Sequence, residues 1–355
     1  MINSVVKVFL SFFLTFSVGI FITPFVTNYL YKNKMWKKKA RNEALGGGET
    51  PIFNQLHKEK ETGTPRMGGI IIWASTLLTI LILSLLSDLF PSVATQKLNF
   101  LSQNQTWLPL FALVAASLVG LADDLLQVWG GGGYVAGGLA LSKRVVFVLI
   151  MGFIGAYWFY FKLGMTAIAV PFAGPIELGI LFIPFFMLVM LAIFSGGVID
   201  GIDGLAGGIM AVMFSAYGVI AFFQNQIDLA TFCAAIVGGT LAFLWFNVPP
   251  ARFYMSETGM LGLTVTLSII AFLTDSVAVL PIIAFPLIAT SASVVIQYLS
   301  KKYRGKKVFL VAPLHHHFEA IGWPAAKVTM RYWILSIIFA VVGMIVSILG
   351  ITLTI

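Results

Sequence analysis

The feature that most constrains this chain is a series of ten apolar stretches. They lie at about residues 3–30, 68–90, 107–122, 145–163, 179–199, 206–223, 229–247, 259–275, 277–299 and 332–354. A helix needs roughly 20 predominantly apolar residues to cross a hydrocarbon core of about 30 Å. Only 10% of the 355 residues are charged, against about 25% in soluble domains. The pattern therefore predicts an all-α polytopic membrane protein with about ten transmembrane helices, in which residues 1–355 form a single integral membrane domain.

The basic residues predict how the chain is oriented. With ten crossings, all of the 22 Lys and Arg residues except Lys7, Lys97 and Lys162 fall on one side of the membrane. The positive-inside rule assigns that side to the cytoplasm, so both termini are expected on the periplasmic or extracellular side. The net charge of +8 is therefore interpreted as a topology signal and not as a nucleic-acid-binding surface.

Carboxylates are rare in the chain, and five of them lie at the edges of apolar stretches: Asp123, Asp124, Asp200, Asp203 and Glu257. A carboxylate at the bilayer centre costs roughly 2.5–3.5 kcal/mol on insertion scales, and less near the interface. The predicted topology brings all five to the cytoplasmic interface. An active site on the cytoplasmic face is the functional interpretation, and ordinary polar helix ends are the alternative.

Two acidic motifs carry four of these groups. Asp123 and Asp124 are adjacent in GLADDLLQ, and adjacent helical positions diverge by about 100°, so the two are expected to have different roles. Asp200 and Asp203 in VIDGIDGLAGG are three residues apart, which would align them on one face if the segment is helical. The glycines that follow them allow close backbone approach to a ligand. The alternative is a glycine-rich helix contact.

Two further motifs combine aromatic and basic groups. In NVPPARFYMSETGM, the residues from Asn247 to Glu257 could recognise a planar base and a phosphate, or could form a proline turn with an interfacial aromatic anchor. In APLHHHFEAIGW, the three successive histidines His315, His316 and His317 cannot all ligate one ion easily. Phosphate contacts or acid–base chemistry fit them better, because histidine titrates near neutral pH.

The sum of these groups indicates a reaction class. Carboxylates without a cysteine cluster suit a hard cation such as Mg²⁺, which usually also binds substrate phosphates. The residues therefore predict phosphoryl chemistry at the membrane surface, with one substrate from the cytosol and one from the lipid. A transporter is the alternative of a different class, although acids at the interface fit a proton path through the midplane less well.

The motifs GTPRMGG, GLADD, DGIDGLAGG, FNVPPARFYMSETG, SVVIQ and PLHHHFEAIGWP follow one another in this order. From about residue 20 to 354 the chain resembles the phospho-N-acetylmuramoyl-pentapeptide transferases (MraY family) of the polyprenyl-phosphate N-acetylhexosamine-1-phosphate transferase superfamily. The resemblance implies transfer from UDP-MurNAc-pentapeptide to undecaprenyl phosphate, giving lipid I and UMP for peptidoglycan synthesis. It also implies dependence on Mg²⁺ and a homodimer in the bacterial inner membrane.

The resemblance also implies roles for individual residues. The groups matched to metal binding, lipid-phosphate activation and catalysis are Asp123, Asp124, Asp200 and Glu257. Those matched to the uracil and nucleoside pocket are Lys60, Asp203, Asn247 and Tyr254. The polar groups matched to the diphosphate and sugar are Gln297, His315, His316 and His317.

Several positions depart from the pattern that the resemblance implies. Glu257 replaces the expected metal-binding aspartate, and Ser256 replaces a glycine. Two expected asparagines are Phe194 and Gly197, and Ala325 replaces an acid. The lysine expected after the acid pair is absent, since Leu125, Leu126 and Gln127 stand there. We expect a divergent, active enzyme; the alternatives are a sister transferase that moves GlcNAc-1-phosphate, and a non-catalytic homologue or transporter.

Overall fold

The computed structural model describes residues 2–37, 63–101, 105–130 and 138–354, except for the side chains of residues 2 and 351–354. The α-helices are α1 (Ile2–Lys32), α2 (Ile70–Leu89), α3 (Val93–Leu98), α4 (Trp107–Trp129), α5 (Leu141–Tyr157), α6 (Phe182–Ser195), α7 (Leu205–Phe223), α8 (Ile227–Asn247), α9 (Ser256–Leu273), α10 (Leu280–Ile283), α11 (Phe285–Arg304), α12 (Leu314–Ala320) and α13 (Ala325–Thr354). Short 3-10 turns cover Gly179–Leu181, Gly196–Ile199 and Val277–Val279, and a π-helical turn covers Trp158–Lys162.

The predicted membrane spans are recovered with one change. Within the described residues, nine helices are long and apolar enough to cross a membrane, and their positions follow nine of the ten apolar stretches. The ninth stretch is not straight, because the chain bends by 76° between Val277–Ile283 and Phe285–Arg304. Pro286 explains the break: it has no N–H to donate to the preceding turn. The total is ten if the bent pair counts as one span.

The acid pair lies farther inside a helix than we predicted. The third stretch was expected to end at residue 122, but α4 continues to Trp129 and ends at Gly130, which has a φ of +73°. Glycine is favoured at such a left-handed helix end. Asp123 and Asp124 therefore lie almost two turns before the end of α4, and their side chains face neighbouring helices.

One loop of the described residues contains a β-hairpin. Strands β1 (Ala167–Val170) and β2 (Gly174–Glu177) pair in antiparallel register in the loop between α5 and α6, with Ala167 opposite Glu177. Periodicity in a segment this short gave no signal for a hairpin. The prediction of an all-α chain therefore holds for the membrane spans and misses this loop.

Helix α9 forms the centre of the bundle. About 89% of the most apolar stretch of α9 is buried inside the protein, against 17% of the corresponding stretch of α1. It packs closely on α4, because a β-carbon on Gly120 would overlap the backbone carbonyl of Glu257 and one on Gly262 would overlap the Ser117 side chain. This contact brings the first turn of α9 beside the acid pair of α4.

Candidate active site

Asp124 is held by donors from two other elements. Its side chain is fully buried, and its Oδ2 accepts hydrogen bonds from the Thr258 backbone N–H at 2.9 Å and the Thr258 hydroxyl at 2.7 Å. Its Oδ1 accepts from Arg66 Nε at 3.2 Å. Both carboxylate oxygens are thus bound, and Asp124 is fixed between α9 and the segment before α2.

Asp123 points in a different direction, as the spacing predicted. Its oxygens accept hydrogen bonds from the Leu139 N–H and from Gln127 Nε2, the latter at 2.9 Å. Arg144 Nε lies 3.7 Å from Asp123 Oδ2, and Arg144 Nη1 forms an ion pair with Glu257. Arg144 therefore connects the first acid of the pair to the first turn of α9.

Asp200 and Asp203 do not lie on a helix. The 3-10 turn ends at Ile199, and Gly204 has a φ of +75°. Asp200 Oδ2 accepts from the Ser256 N–H at 2.8 Å, whereas Asp203 Oδ2 accepts from the Ala251 N–H at 3.3 Å. Because the segment is not helical, Asp200 and Asp203 are not aligned on one helix face. Asp203 contacts the segment before α9, and Asp200 contacts the first residue of α9.

Burial affects the charge of Asp200, which lies outside the membrane-spanning helices. Desolvation raises its pKa to about 6, although the Ser256 N–H and the Arg66 charge both lower it. The negative charges of Asp124 and Asp203 raise the pKa further. Asp200 is therefore the carboxyl of this turn whose charge changes just below neutral pH.

The segment between α8 and α9 is tied to the neighbouring motifs. Asn247 Oδ1 accepts from the Gly204 N–H at 3.0 Å, and its Nδ2 donates to the Phe253 carbonyl at 2.8 Å. The Tyr254 backbone pairs with Pro65 and Gly68 at 2.9 and 2.8 Å. The side chain of Tyr254 is half-buried. The GTPRMGG motif and the nucleoside-pocket candidates Asn247, Asp203 and Tyr254 thus meet in one place, while Lys60 lies outside the described residues.

The histidines contact the same turn as Asp200. His315 and His316 are buried in α12. A β-carbon on Gly201 would lie 2.5 Å from His315 Nε2 and 2.8 Å from His316 Nε2. His316 Nδ1 pairs with Glu319 Oε2 at 2.7 Å, and His317 Nδ1 accepts from the Leu310 N–H at 3.3 Å. His315 and His316 are therefore next to Asp200, and His317 faces the preceding loop.

Gln297 has a local structural contact. Its Oε1 accepts from the N–H groups of Val308 and Phe309, both at 3.0 Å, and its Nε2 donates to the Phe309 carbonyl at 2.8 Å. The amide therefore holds the loop that leads to α12. Its predicted contact with the diphosphate or sugar remains a prediction.

Two arginines that the sequence analysis did not assign to the site neutralise part of its charge. Arg66 pairs with Asp124, and Arg144 pairs with Glu257 and approaches Asp123. Burial opposes the charge of Arg66, but Asp124, Asp200 and Glu257 outweigh it and raise its pKa. The position of Arg66 inside GTPRMGG was a signal for this role. The role of Arg144 follows from tertiary contacts across 113 residues of sequence.

We call the five carboxylates Asp123, Asp124, Asp200, Asp203 and Glu257 the acidic face. In the part of the chain that the structure describes, no three His, Cys, Asp or Glu side chains form a ready-made metal site. Mg²⁺ does not require one, since it is usually bound by one or two carboxylates together with waters and substrate phosphates. Five carboxylates and two arginines leave an excess of three negative charges when all are ionised. The donors therefore fit a divalent cation that arrives with a phosphate substrate.

The positions that depart from the family pattern differ in their surroundings. Phe194 is half-buried and packs against the hydrophobic core. A β-carbon on Gly197 would meet no atom within 4 Å. Gly197 thus borders open space beside the 3-10 turn, whereas Phe194 is part of the packed core.

Comparisons with known proteins identify the kind of protein that this chain is similar to. The model of the family described as Glycosyl transferase family 4 matches residues 106–275. The phospho-N-acetylmuramoyl-pentapeptide-transferase of Geobacillus sp. (strain WCH70) is 34% identical over 349 residues, which is 96% of this chain and 97% of that protein. Proteins of the same name from Dichelobacter nodosus and Listeria monocytogenes are 34% and 33% identical, over 80% and 82% of this chain and 80% and 86% of their own lengths.

Proposed function

The chain belongs to the phospho-N-acetylmuramoyl-pentapeptide-transferase family, and we propose that it moves phospho-MurNAc-pentapeptide from UDP-MurNAc-pentapeptide to undecaprenyl phosphate. The products are lipid I and UMP. It is a transferase of peptidoglycan synthesis and a multi-pass protein of the bacterial inner membrane. The substrates, the metal and the roles of individual residues are our proposals.

The observation that carries the proposal is the meeting of distant motifs around the first turn of α9. Asp124 binds Thr258, Asp200 binds Ser256, and Arg144 joins Asp123 to Glu257. Acids from α4 and from the turn after α6 thus meet at the first turn of α9, which carries Glu257. Such an arrangement suits a reaction in which two phosphate-bearing substrates must be brought together and their charge balanced.

In the proposed reaction, an oxygen of the lipid phosphate attacks the β-phosphorus of the nucleotide sugar. A new phosphorus–oxygen bond forms as the bond between the β-phosphorus and the bridging oxygen breaks, and UMP leaves with the electron pair. Asp123 and Asp124 orient the attacking phosphate or accept its proton. His315 and His316 lie beside the Asp200 turn, where they can donate hydrogen bonds to the diphosphate or sugar.

The nucleotide is proposed to bind between the Asp203 turn and the segment before α9. Asn247 connects these two segments and fixes their separation. The half-buried Tyr254 offers an aromatic face for uracil, and Asp203 lies on the opposite segment. The sugar is expected to lie toward the histidines, beside the Asp200 turn.

We propose Mg²⁺ as the cation, with Glu257 and Asp200 as the residues that would hold it. When bound, the ion would neutralise the diphosphate and polarise its phosphorus–oxygen bonds. Arg144 must share Glu257 with such an ion, because it is already paired with that carboxylate. The arginine therefore orients Glu257 while no substrate is bound.

We propose that the acidic face lies on the cytoplasmic side, with both termini on the periplasmic or extracellular side. The distribution of basic residues supports this orientation, and a cytosolic nucleotide substrate requires it. Homodimer formation stays a prediction that chemical cross-linking of the native membrane protein would check.

The test measures UMP release by the purified protein with Mg²⁺, undecaprenyl phosphate and UDP-MurNAc-pentapeptide. We expect lipid I and UMP in equal amounts, and no UMP when either substrate is omitted. The absence of UMP from a folded preparation would refute the proposal. The competing function is a sister transferase for GlcNAc-1-phosphate, and turnover of UDP-GlcNAc alone would establish it.

A further inference from the structure

Arg66 occupies a central position among the acids. The negative charges of Asp124, Asp200 and Glu257 stabilise the charged form of its guanidinium. These acids come from α4, from the turn after α6 and from α9. Its side chain retains 18% exposure, whereas the Asp124 side chain has none. Arg66 thus lies between a fully buried acid and the accessible surface of the acidic face.

The backbone around Arg66 is fixed on two sides. Its N–H donates to the Met35 carbonyl at 2.8 Å, which ties it to the segment after α1. The next residues approach α9 closely, since a β-carbon on Gly69 would overlap the backbone of Gly259. Main-chain contacts that do not depend on the charge of Arg66 therefore fix the position of its backbone.

The guanidinium has more donors than Asp124 can use. Arginine carries five N–H donors in a planar fork, and within the described residues Nε is the atom that donates to Asp124. Asp124 also receives two hydrogen bonds from Thr258 at its other oxygen. The carboxylate is thus well satisfied by Nε and Thr258, and its contacts do not require the Nη groups of Arg66.

Resting on the transfer reaction described above, we propose that Arg66 binds a substrate phosphate oxygen through its Nη groups while its Nε remains on Asp124. Arg66 would then be a catalytic residue that connects the acid pair to the diphosphate. A planar fork can bind two anions along two edges at once, whereas a lysine ammonium acts as a point charge. The identity of the side chain as arginine is therefore part of the proposal.

The alternative is that Arg66 serves only as a counter-ion that keeps Asp124 folded in place. Lys7 provides a matched control, because its Nζ pairs with Asp228 Oδ1 at 2.6 Å and donates to the Asn99 carbonyl at 2.9 Å. This ion pair joins the start of α1 to the start of α8, away from the acidic face. Lys7→Gln removes a partly buried cation without touching the site.

The experiment compares Arg66→Gln, Arg66→Lys and Lys7→Gln with the native protein, all full-length in nanodiscs. Binding of inorganic pyrophosphate is measured by calorimetry and by the shift in Tm, with and without Mg²⁺, because a ligand that binds the folded state raises Tm. UMP release gives kcat and KM on the same samples. We expect Arg66→Gln to weaken pyrophosphate binding about 10- to 100-fold, the effect of losing charge-assisted hydrogen bonds, and to lower kcat/KM at least as much.

The other variants separate the two roles. We expect Arg66→Lys to recover part of the binding and Lys7→Gln to leave pyrophosphate binding and kcat/KM unchanged, even if its Tm falls. The proposal is overturned if Arg66→Gln binds pyrophosphate within threefold of the native protein, or if Arg66→Lys restores full kcat/KM. If Arg66→Gln does not fold, the Arg66→Lys result decides alone. Pyrophosphate binding that requires Arg66 in a native protein that releases no UMP would support this inference and refute the transfer reaction.

Discussion

The two ends of the helix bundle use the same interaction for different purposes. At the end opposite the acidic face, Lys7 and Asp228 form one ion pair between α1 and α8. One positive charge there is matched by one negative charge. At the acidic face, two arginines are shared among five carboxylates, which leaves three acids in excess of the arginines. The balanced pair needs no further ion, whereas the excess negative charge of the acidic face attracts a cation, which can arrive together with a phosphate. The excess of charge, and not the presence of ion pairs, distinguishes the candidate active site.

The largest effect is expected from Asp200→Asn, because it removes the acid proposed to bind the metal while the amide oxygen can still accept from Ser256. We expect kcat to fall by about a thousandfold or more, as for loss of a metal ligand or general base. UMP release under saturating substrates measures the change. Asp228→Asn at the opposite end is the control and should retain native kcat. If Asp200→Asn stays within tenfold of native activity, Asp200 has no role in the chemistry.

Gly201→Ala should have the next largest effect, because its β-carbon would push against the nitrogens of His315 and His316. A displacement of about 1 Å at a reacting group can lower the rate by 10²-fold, and we expect a loss of this order in kcat/KM. Gly197→Ala is the matched control on the same turn, since its β-carbon meets no atom within 4 Å. Equal activity of the two variants would contradict the proposed role of the two histidines.

Glu257→Asp tests whether the metal site is adjusted to a longer side chain. The change withdraws the carboxylate by about one bond and breaks its ion pair with Arg144. We expect the Mg²⁺ concentration for half-maximal activity to rise about 10- to 100-fold, the range typical of disturbed metal sites, with a smaller change in kcat at saturating Mg²⁺. An unchanged Mg²⁺ requirement would remove Glu257 from the list of metal ligands.

The smallest effect concerns pH and stability. The folded state raises the pKa of Asp200 from 3.8 to about 6, so between these values the folded protein binds the proton more strongly than the unfolded chain. Stability contributed by this group is therefore present below pH 4 and is lost as the pH rises toward 6. With EDTA and no substrate, Asp200→Asn should melt a few degrees above the native protein at pH 7, and the difference should shrink at pH 4. A difference independent of pH would contradict this assignment.

The sequence predicted the membrane spans well because long apolar stretches leave few alternatives. The boundaries that failed were those set by short-range chemistry, such as the extension of α4 to Gly130 and the break at Pro286. At the site, the motifs that carry Asp124, Asp200 and the histidines were predicted, but not their partners. Arg66 and Arg144 meet their acids through contacts between distant segments, and a count of charges along the chain could not separate them from the basic residues that set topology.

The 76° bend before α11 has a mechanical consequence. A straight helix transmits a push along its axis, so a movement at one end reaches the other. Because the chain turns sharply at Ala284, α11 can carry a displacement at its far end without driving α10 into the bundle. Ser293 and Gln297 of α11 hold the segment that begins α12. The helix that carries the histidines is thus held by α11, beyond the bend, whereas Asp124 and Glu257 lie on the closely packed helices α4 and α9.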